Sequence, residues 1–230
     1  FPADKIMADE KIVAKHPFAG QYDITSYKKN ELVGFKKFDG YMGNLGEAKN
    51  DEVNLKYYTD ASNLKLDVQK GNIDVAARSL SATDIASLEK DSGVTVHKGP
   101  GGEIRYIVFN FDTMPFGVKT ADADAKKALA VRQAVADLVD RQALSQQVYK
   151  GTYTPLYSYV PTGIPGATTA LKELYGKDGA PDEAAAKAVL EAAGVTAPVT
   201  LDIQWAPDHY GPSSGDEYAL IKSQLEASGL

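Results

Sequence analysis

A chain of 230 residues, 43% hydrophobic and 24% charged, has the composition of a globular protein and enough length for one large core or two smaller ones. A net charge of -6 without a dense Lys/Arg cluster argues against nucleic acid as a partner, and no apolar run is long enough to span a membrane. The absence of cysteine removes disulfides, thiolate metal sites and cysteine catalysis while leaving the compartment open.

In chain order, QYDITSY (21–27) and ELVGFKKF (31–38) flank Lys28-Lys29-Asn30 as the arms of a predicted antiparallel hairpin. EVNLKYYT (52–59) sets Val53, Leu55 and Tyr57 on one face, the period of a half-buried strand. Asp60 or Ser62 caps a helix in which Leu64 and Val68 lie one turn apart, closed by Gly71. Short strands are expected at 73–76 and 94–97, with a helix over 84–90, opened by Ser81, between them. GPGGEIRYIVFNFDTMPFGV (99–118) then leads from a glycine corner into a strand at 104–111. There Ile104, Tyr106 and Val108 alternate with Ile107, Phe109 and Phe111, so a central strand buried on both faces is predicted. Glycines at 99–102 and the turn at 112–117 would supply backbone freedom at its two ends.

The second half is predicted helical. Ala128, Val131, Val135 and Leu138 recur at three and four residues and face inward. Asp140 reads as the N-cap of a helix over 141–149 that Gly151 closes. TYTPLYSYVPTGIPG (152–166) has no helical period and should run as an extended surface loop. Pro181-Asp182-Glu183 opens a helix to Ala193, VTLDIQW (199–205) is a further strand, and 216–228 the last helix. The period changes across 112–125, which predicts separate cores in 1–111 and 112–230. The chain starts at Phe1 and its final amphipathic pattern halts at Ser228-Gly229-Leu230, so it reads as a fragment of a longer protein.

Catalytic motifs fail on context. Gly211 to Gly215 fits G-x-S-x-G, but a loop at 206–212 separates Ser213 from the strand, and no histidine follows it. A serine hydrolase using Ser213 remains only as the alternative. His16, His97 and His209 show no metal-ligand spacing, and Gly99, Gly101 and Gly102 make neither a dinucleotide nor a P-loop fingerprint. The pairs Asp122/Asp124 and Asp216/Glu217 sit where helices begin and read as capping acids. No catalytic residue, metal or cofactor is expected.

The order of segments carries more information. The hairpin, GNIDVA (71–76), RYIVFNFDTMPF (105–116) and VRQAVADLVDRQAL (131–144) together resemble the extracellular substrate-binding proteins of ABC importers, of the peptide/nickel class, from about Phe18 onward. The resemblance implies an α/β, periplasmic-binding-protein-like two-lobe fold of class II type, incomplete because the chain is a fragment. Residues 1–111 would be part of the first lobe and 112–230 part of the second, with 104–111 as a hinge strand. It implies a non-enzymatic protein that captures peptides outside the membrane and delivers them to the transmembrane subunits of an ABC permease. The compartment would be extracytoplasmic, as a cell-surface lipoprotein or a periplasmic protein, touching the membrane only through a lipid anchor of the full-length protein. Oligosaccharide, opine and nickel chelate are the alternative ligands.

Candidate ligand-binding residues are those at segment ends: Arg78, Ser79 and Leu80; Gly101 and Gly102; Arg105, Tyr106 and Asn110; and Tyr157 in the tyrosine-rich loop. Arg78 suits a ligand carboxylate or a solvated loop equally. Arg105, among apolar neighbours, requires an anionic partner from the protein or from a ligand. Tyr157 either walls a pocket or packs its loop onto its own lobe. The acid that holds a peptide's amino group falls, by the resemblance, beyond Leu230.

Overall fold

The computed structural model describes residues 19–99 and 101–230, so His16 and Pro100 lie outside the described residues. The chain divides into two compact units, Phe1–Leu66 and Asp67–Leu230. The separate cores expected in 1–111 and 112–230 do not form, because Ile107 and Phe109 pack in the same cluster as Val131, Leu138 and Ile221.

In the first unit the predicted hairpin forms. Strands β1 (Tyr22–Lys28), β2 (Leu32–Lys37) and β3 (Glu52–Lys56) make an antiparallel sheet in that order. Asn30 turns the hairpin at φ 60°, a conformation its short amide side chain tolerates, and Glu31 N–H donates to the Lys28 carbonyl at 3.0 Å. Ile24 and Val33 are buried between Tyr27 and Phe35 as a small core, with a register shift between Ile24 and Ser26. All five residues of β3 are exposed, against the expectation of a half-buried face. Alternation marks which side chains share a face, and burial further requires a layer over it; the described residues put none over Val53 and Leu55. Helix α1 (Ala61–Gln69) starts as predicted, with Asn63 N–H donating to Asp60 Oδ1 at 2.9 Å.

The second unit is helical. Ser81 and Asp84 form a reciprocal capping box at the start of α2 (Ala82–Leu88), Asp84 N–H donating to Ser81 Oγ at 3.0 Å and Ser81 N–H to Asp84 Oδ2 at 3.3 Å. Asp124 caps α3 (Ala125–Leu138), accepting from Lys126 and Lys127 N–H. The inward face of α3 carries the predicted Ala128, Val131, Val135 and Leu138, joined by Ala134. They pack with Ala186 and Leu190 of α5 (Glu183–Ala193) and Ile221 and Leu225 of α7 (Ser214–Ala227). Asp137 is also buried there; its Oδ1 accepts from Gly176 N–H at 2.8 Å, and its carbonyl from Asp182 N–H. Burial raises the Asp137 pKa, and the Gly176 hydrogen bond opposes that rise.

Asp140 is the expected cap: Ala143 N–H donates to its Oδ1 at 2.8 Å at the start of α4 (Arg141–Ala143). The helix does not continue regularly to Tyr149. It widens into a π-helical turn at Leu144–Val148, where buried Ser145 donates its hydroxyl to the Tyr153 carbonyl and Gly151 N–H closes on the Ser145 carbonyl at 2.9 Å. Asp140→Ala is expected to cost about 1 kcal/mol of stability in urea unfolding and to leave the whole protein's ligand affinity unchanged. A fall in affinity at constant stability would move Asp140 into the binding site.

The strands predicted at 73–76, 94–97 and 199–205 join no sheet among the described residues, because no ladder of backbone hydrogen bonds forms along them. The same holds at 104–111, which is extended but not buried on both faces. Ile107 and Phe109 pack on the α3 core, whereas Tyr106, Val108 and Phe111 are exposed. The turn after it is not a loose end. Met114 N–H donates to the Asn110 carbonyl at 2.9 Å, Val118 N–H to Phe111 at 2.9 Å and Gly117 N–H to Met114 at 2.7 Å. A Cβ on Gly117 would lie 2.7 Å from the Asp112 carbonyl oxygen, so this glycine serves close backbone packing rather than hinge freedom.

Candidate functional site

Arg105 lies on the packed side of the 104–111 segment, where its charge must be met. Its anion is Glu217, in the first turn of α7, with Arg105 Nη2 donating to Glu217 Oε2 at 2.5 Å and Nε to Oε1 at 3.4 Å. Nη1 donates to the Tyr210 carbonyl at 2.7 Å, at the end of α6 (Pro207–Tyr210). Three rings surround the guanidinium, those of Tyr149, Tyr153 and Tyr210 at 5.6, 5.9 and 5.6 Å from ring centroid to Cζ. Tyr149 and Tyr153 stack with centroids 4.0 Å apart, and the Tyr149 hydroxyl donates to Glu217 Oε2 at 2.7 Å.

The two side chains of the ion pair are 20% and 12% exposed, which makes this a largely desolvated pair rather than a surface one. Burial alone would lower the Arg105 pKa; the hydrogen bond to Glu217 and its charge outweigh that and hold the guanidinium above its ordinary value. Burial, reinforced by Glu217, pushes the Tyr149 phenol far above the usual tyrosine range. Tyr149 therefore stays a hydrogen-bond donor at any physiological pH. The cluster binds four separate stretches of chain together without a group poised for proton transfer.

Glu217 is thus more than a helix-start acid, which corrects the capping account of Asp216/Glu217. Neither it nor Tyr149 was found from sequence. The signal was the unmet demand of Arg105 for an anion, and the answer lies 112 residues away. Trp205, itself exposed, stacks at 5.4 Å between centroids on Tyr218, which packs against the α3 core.

Arg78 is in a different setting. Its Nη2 donates to Glu103 Oε1 at 2.9 Å, with the two side chains 83% and 84% exposed. Arg78 and Ser79 both have positive φ, 65° and 62°, and Leu80 N–H donates to the Arg78 carbonyl at 2.9 Å. Two consecutive non-glycine residues in the left-handed region cost about 1–3 kcal/mol each, a strain that concentrates at binding sites. Gly101 and Gly102, next to Glu103 in the chain, are exposed, and a Cβ on Gly102 would meet nothing within 4 Å.

The remaining candidates are occupied locally or open to solvent. Asn110 Oδ1 accepts from Asp112 N–H at 3.0 Å, and the Tyr106 ring is exposed. Tyr157 sits under the Arg141 guanidinium at 5.6 Å, and its carbonyl accepts from Leu171 N–H, which fastens the tyrosine-rich loop to its own unit. Burial lowers the Arg141 pKa, with Tyr157 and Asp137 opposing. Ser213 makes no capping bond; the buried serine is Ser214, donating to the Gly211 carbonyl at 2.8 Å. No group of His, Cys, Asp and Glu among the described residues is arranged to hold a metal ion, and no described helix is long and apolar enough to cross a membrane.

Residues 2–230 match the family model of bacterial extracellular solute-binding proteins, family 5 Middle. The chain belongs to this family. It is 27% identical over 213 residues to the dipeptide-binding protein of Escherichia coli (strain K12), covering 92% of this chain and 36% of that one. It is 27% identical over 187 residues to the di/tripeptide-binding protein 1 of Pseudomonas aeruginosa, covering 81% and 32%. Among solved structures, the ABC transporter substrate binding protein CtaP from Listeria monocytogenes superposes with a TM-score of 0.65 at 21% identity, over 100% of this chain and 43% of that one. The putative peptide binding protein AppA from Clostridium difficile gives 0.64 at 22% identity, over 92% and 40%. The family-5 chain spans about a third of the length of these curated relatives. The fold is α/β of the class II periplasmic-binding-protein type, of which these residues form part.

Proposed function

We propose that the whole protein is the ligand-capture component of an ABC importer, binding peptides outside the cytoplasm and passing them to the permease. The observation that carries this is the family match over 2–230 together with likeness to dipeptide- and di/tripeptide-binding proteins. Such a protein performs no chemistry on its ligand, as its membership of a solute-binding family implies. The lobe division we propose keeps 1–111 in the first lobe and 112–230 in the second with the crossing at 104–111, a crossing whose Arg105, Ile107 and Phe109 are tied to the second part. A lipid anchor at the cell surface or a free periplasmic state are both consistent with this role.

Within these residues the ligand-facing set is Arg78, Ser79, Leu80, Gly101 and Gly102. Arg78 is held by Glu103 in an exposed pair, which contributes little and exchanges readily for a ligand carboxylate. Arg105 is already met by Glu217 and acts by positioning the segment that carries Tyr106 and Asn110. Tyr157 borders the loop side.

Titration calorimetry of the whole protein with a mixed dipeptide and tripeptide pool is expected to show saturable binding. Arg78→Ala should weaken it about tenfold or more, the worth of one charge-assisted hydrogen bond. Binding of oligosaccharide, opine or a nickel chelate with no peptide binding would replace the ligand class. An unchanged peptide affinity in the Arg78 variant would remove Arg78 from the site. Nickel is the second reading, since the structure also resembles NikA from Brucella suis in complex with Fe(III)-EDTA, with a TM-score of 0.61.

A further inference from the structure

In a chain of which 24% is charged, the stretch from Gly151 to Leu171 contains no Asp, Glu, Lys, Arg or His. Tyr153, Tyr157 and Tyr159 stand in it with Pro155, Pro161 and Pro165. Depletion of charge with enrichment of tyrosine is the composition of a protein-binding surface. The stretch is also fastened. Tyr153 stacks on Tyr149 and its carbonyl accepts from the Ser145 hydroxyl, while Tyr157 lies against Arg141 and its carbonyl accepts from Leu171 N–H. A Cβ on Gly179 would come within 2.7 Å of the Tyr157 hydroxyl, so that glycine makes room for the ring.

Between Tyr157 and Leu171 the backbone makes two consecutive turns. Ile164 N–H donates to the Pro161 carbonyl and Ala167 N–H to the Ile164 carbonyl, each at 3.1 Å. Gly163 and Gly166 hold the third place of the two turns at φ 92° and 99°, where a type II turn needs the left-handed region, and Pro165 presets the second place of the second turn. Ser158 braces the entry, its hydroxyl accepting from Val160 N–H at 3.0 Å and donating to the Val160 carbonyl at 2.8 Å. The tip is thus shaped by its own bonds. Even so, Tyr159 is 79% exposed and Ile164 42%. A preformed tip with no charge to desolvate loses little freedom when it is covered.

We propose that the tip at 158–167, centred on Tyr159 and Ile164, docks the protein onto the transmembrane subunits of its ABC permease. This rests on the importer reading above, and the permease is the protein partner which that reading calls for. The occupant is protein rather than lipid, because attachment to a membrane surface draws on basic side chains over anionic headgroups with Trp, Phe or Leu beneath them. The tip has none of these. Nor is it part of the solute site: a peptide brings two charged termini, and no side chain from Gly151 to Leu171 can pair with either.

Tyrosine nitration of the whole protein, read by peptide mass spectrometry, tests the contact. Tyr159 is expected to react in the free and in the peptide-loaded protein, and to be protected when the source organism's peptide permease is added in nanodiscs. Tyr159→Ser combined with Ile164→Ser should weaken binding to those nanodiscs at least about tenfold and leave affinity for the dipeptide and tripeptide pool unchanged. Leu129→Ala, which removes an exposed side chain elsewhere, should alter neither. Equal permease binding by the double variant, or an equal loss in Leu129→Ala, would overturn the docking role while leaving the importer reading in place. Tyr159 unreactive in the free whole protein would mean that the chain itself covers the tip, and protection by peptide alone or by empty nanodiscs would make solute or lipid the occupant; each overturns the inference. Absence of permease binding by the unaltered protein would overturn the importer reading and this inference with it.

Discussion

Glu217→Ala is expected to destabilise the Asp67–Leu230 unit by about 3 kcal/mol or more, because it strands the largely buried Arg105 guanidinium without its anion. It also deprives the Tyr149 hydroxyl of its acceptor, at a further cost of about 1 kcal/mol. The neutral Glu217→Gln change keeps one oxygen for Tyr149 or Arg105 and should cost less. Replacing both partners with apolar residues, as Arg105→Met with Glu217→Leu, should recover much of the loss, since no charge is left buried alone. Trp205 is the only tryptophan and stacks on Tyr218, one residue from Glu217, so its fluorescence reports unfolding of this region. Urea titrations of Glu217→Leu, Arg105→Met and the double variant give the coupling energy, with Glu217→Ala and Glu217→Gln measured alongside. A loss below about 1 kcal/mol for Glu217→Ala would mean that the pair behaves as a surface ion pair, and the positioning role given to Arg105 would fall with it.

Leu138→Ala should cost about 2–5 kcal/mol by removing a buried side chain from the junction of α3 with its neighbours. Leu129, on the same helix, is 45% exposed, and Leu129→Ala should change stability by less than about 0.5 kcal/mol. The chemical change is identical at the two positions. Only the face differs, so the contrast tests the assignment of the inward face without reference to any scale of helix propensity. Equal losses at the two positions would show that α3 is turned otherwise in its bundle.

The helical half was readable because each of its devices is local. The α3 stripe repeats within two turns, and Asp140 and Ser81 meet backbone amides three residues on, so sequence spacing alone states the contact. The hairpin around Asn30 is local for the same reason. The Arg78 corner was singled out from sequence as the end of a strand at 73–76 that joins no sheet, and its consecutive positive φ angles were not foreseen: both residues have side chains, and nothing in their identity announces the left-handed region.

What the amino-acid order by itself determined is therefore the helices, their caps, the hairpin, the family motifs at 71–76, 105–116 and 131–144, and the need of Arg105 for an anion. What only the tertiary structure decided is which residue meets that need, which extended segments have a partner, and which apolar faces are covered. Glu217 and Tyr149 meet Arg105 from 112 and 44 positions away, and Val53 and Leu55 are exposed although they alternate as buried residues do. The physical reason is common to all three. Hydrophobic period and capping chemistry act over a few residues, whereas strand pairing, desolvated ion pairs and burial depend on what the rest of the chain brings alongside.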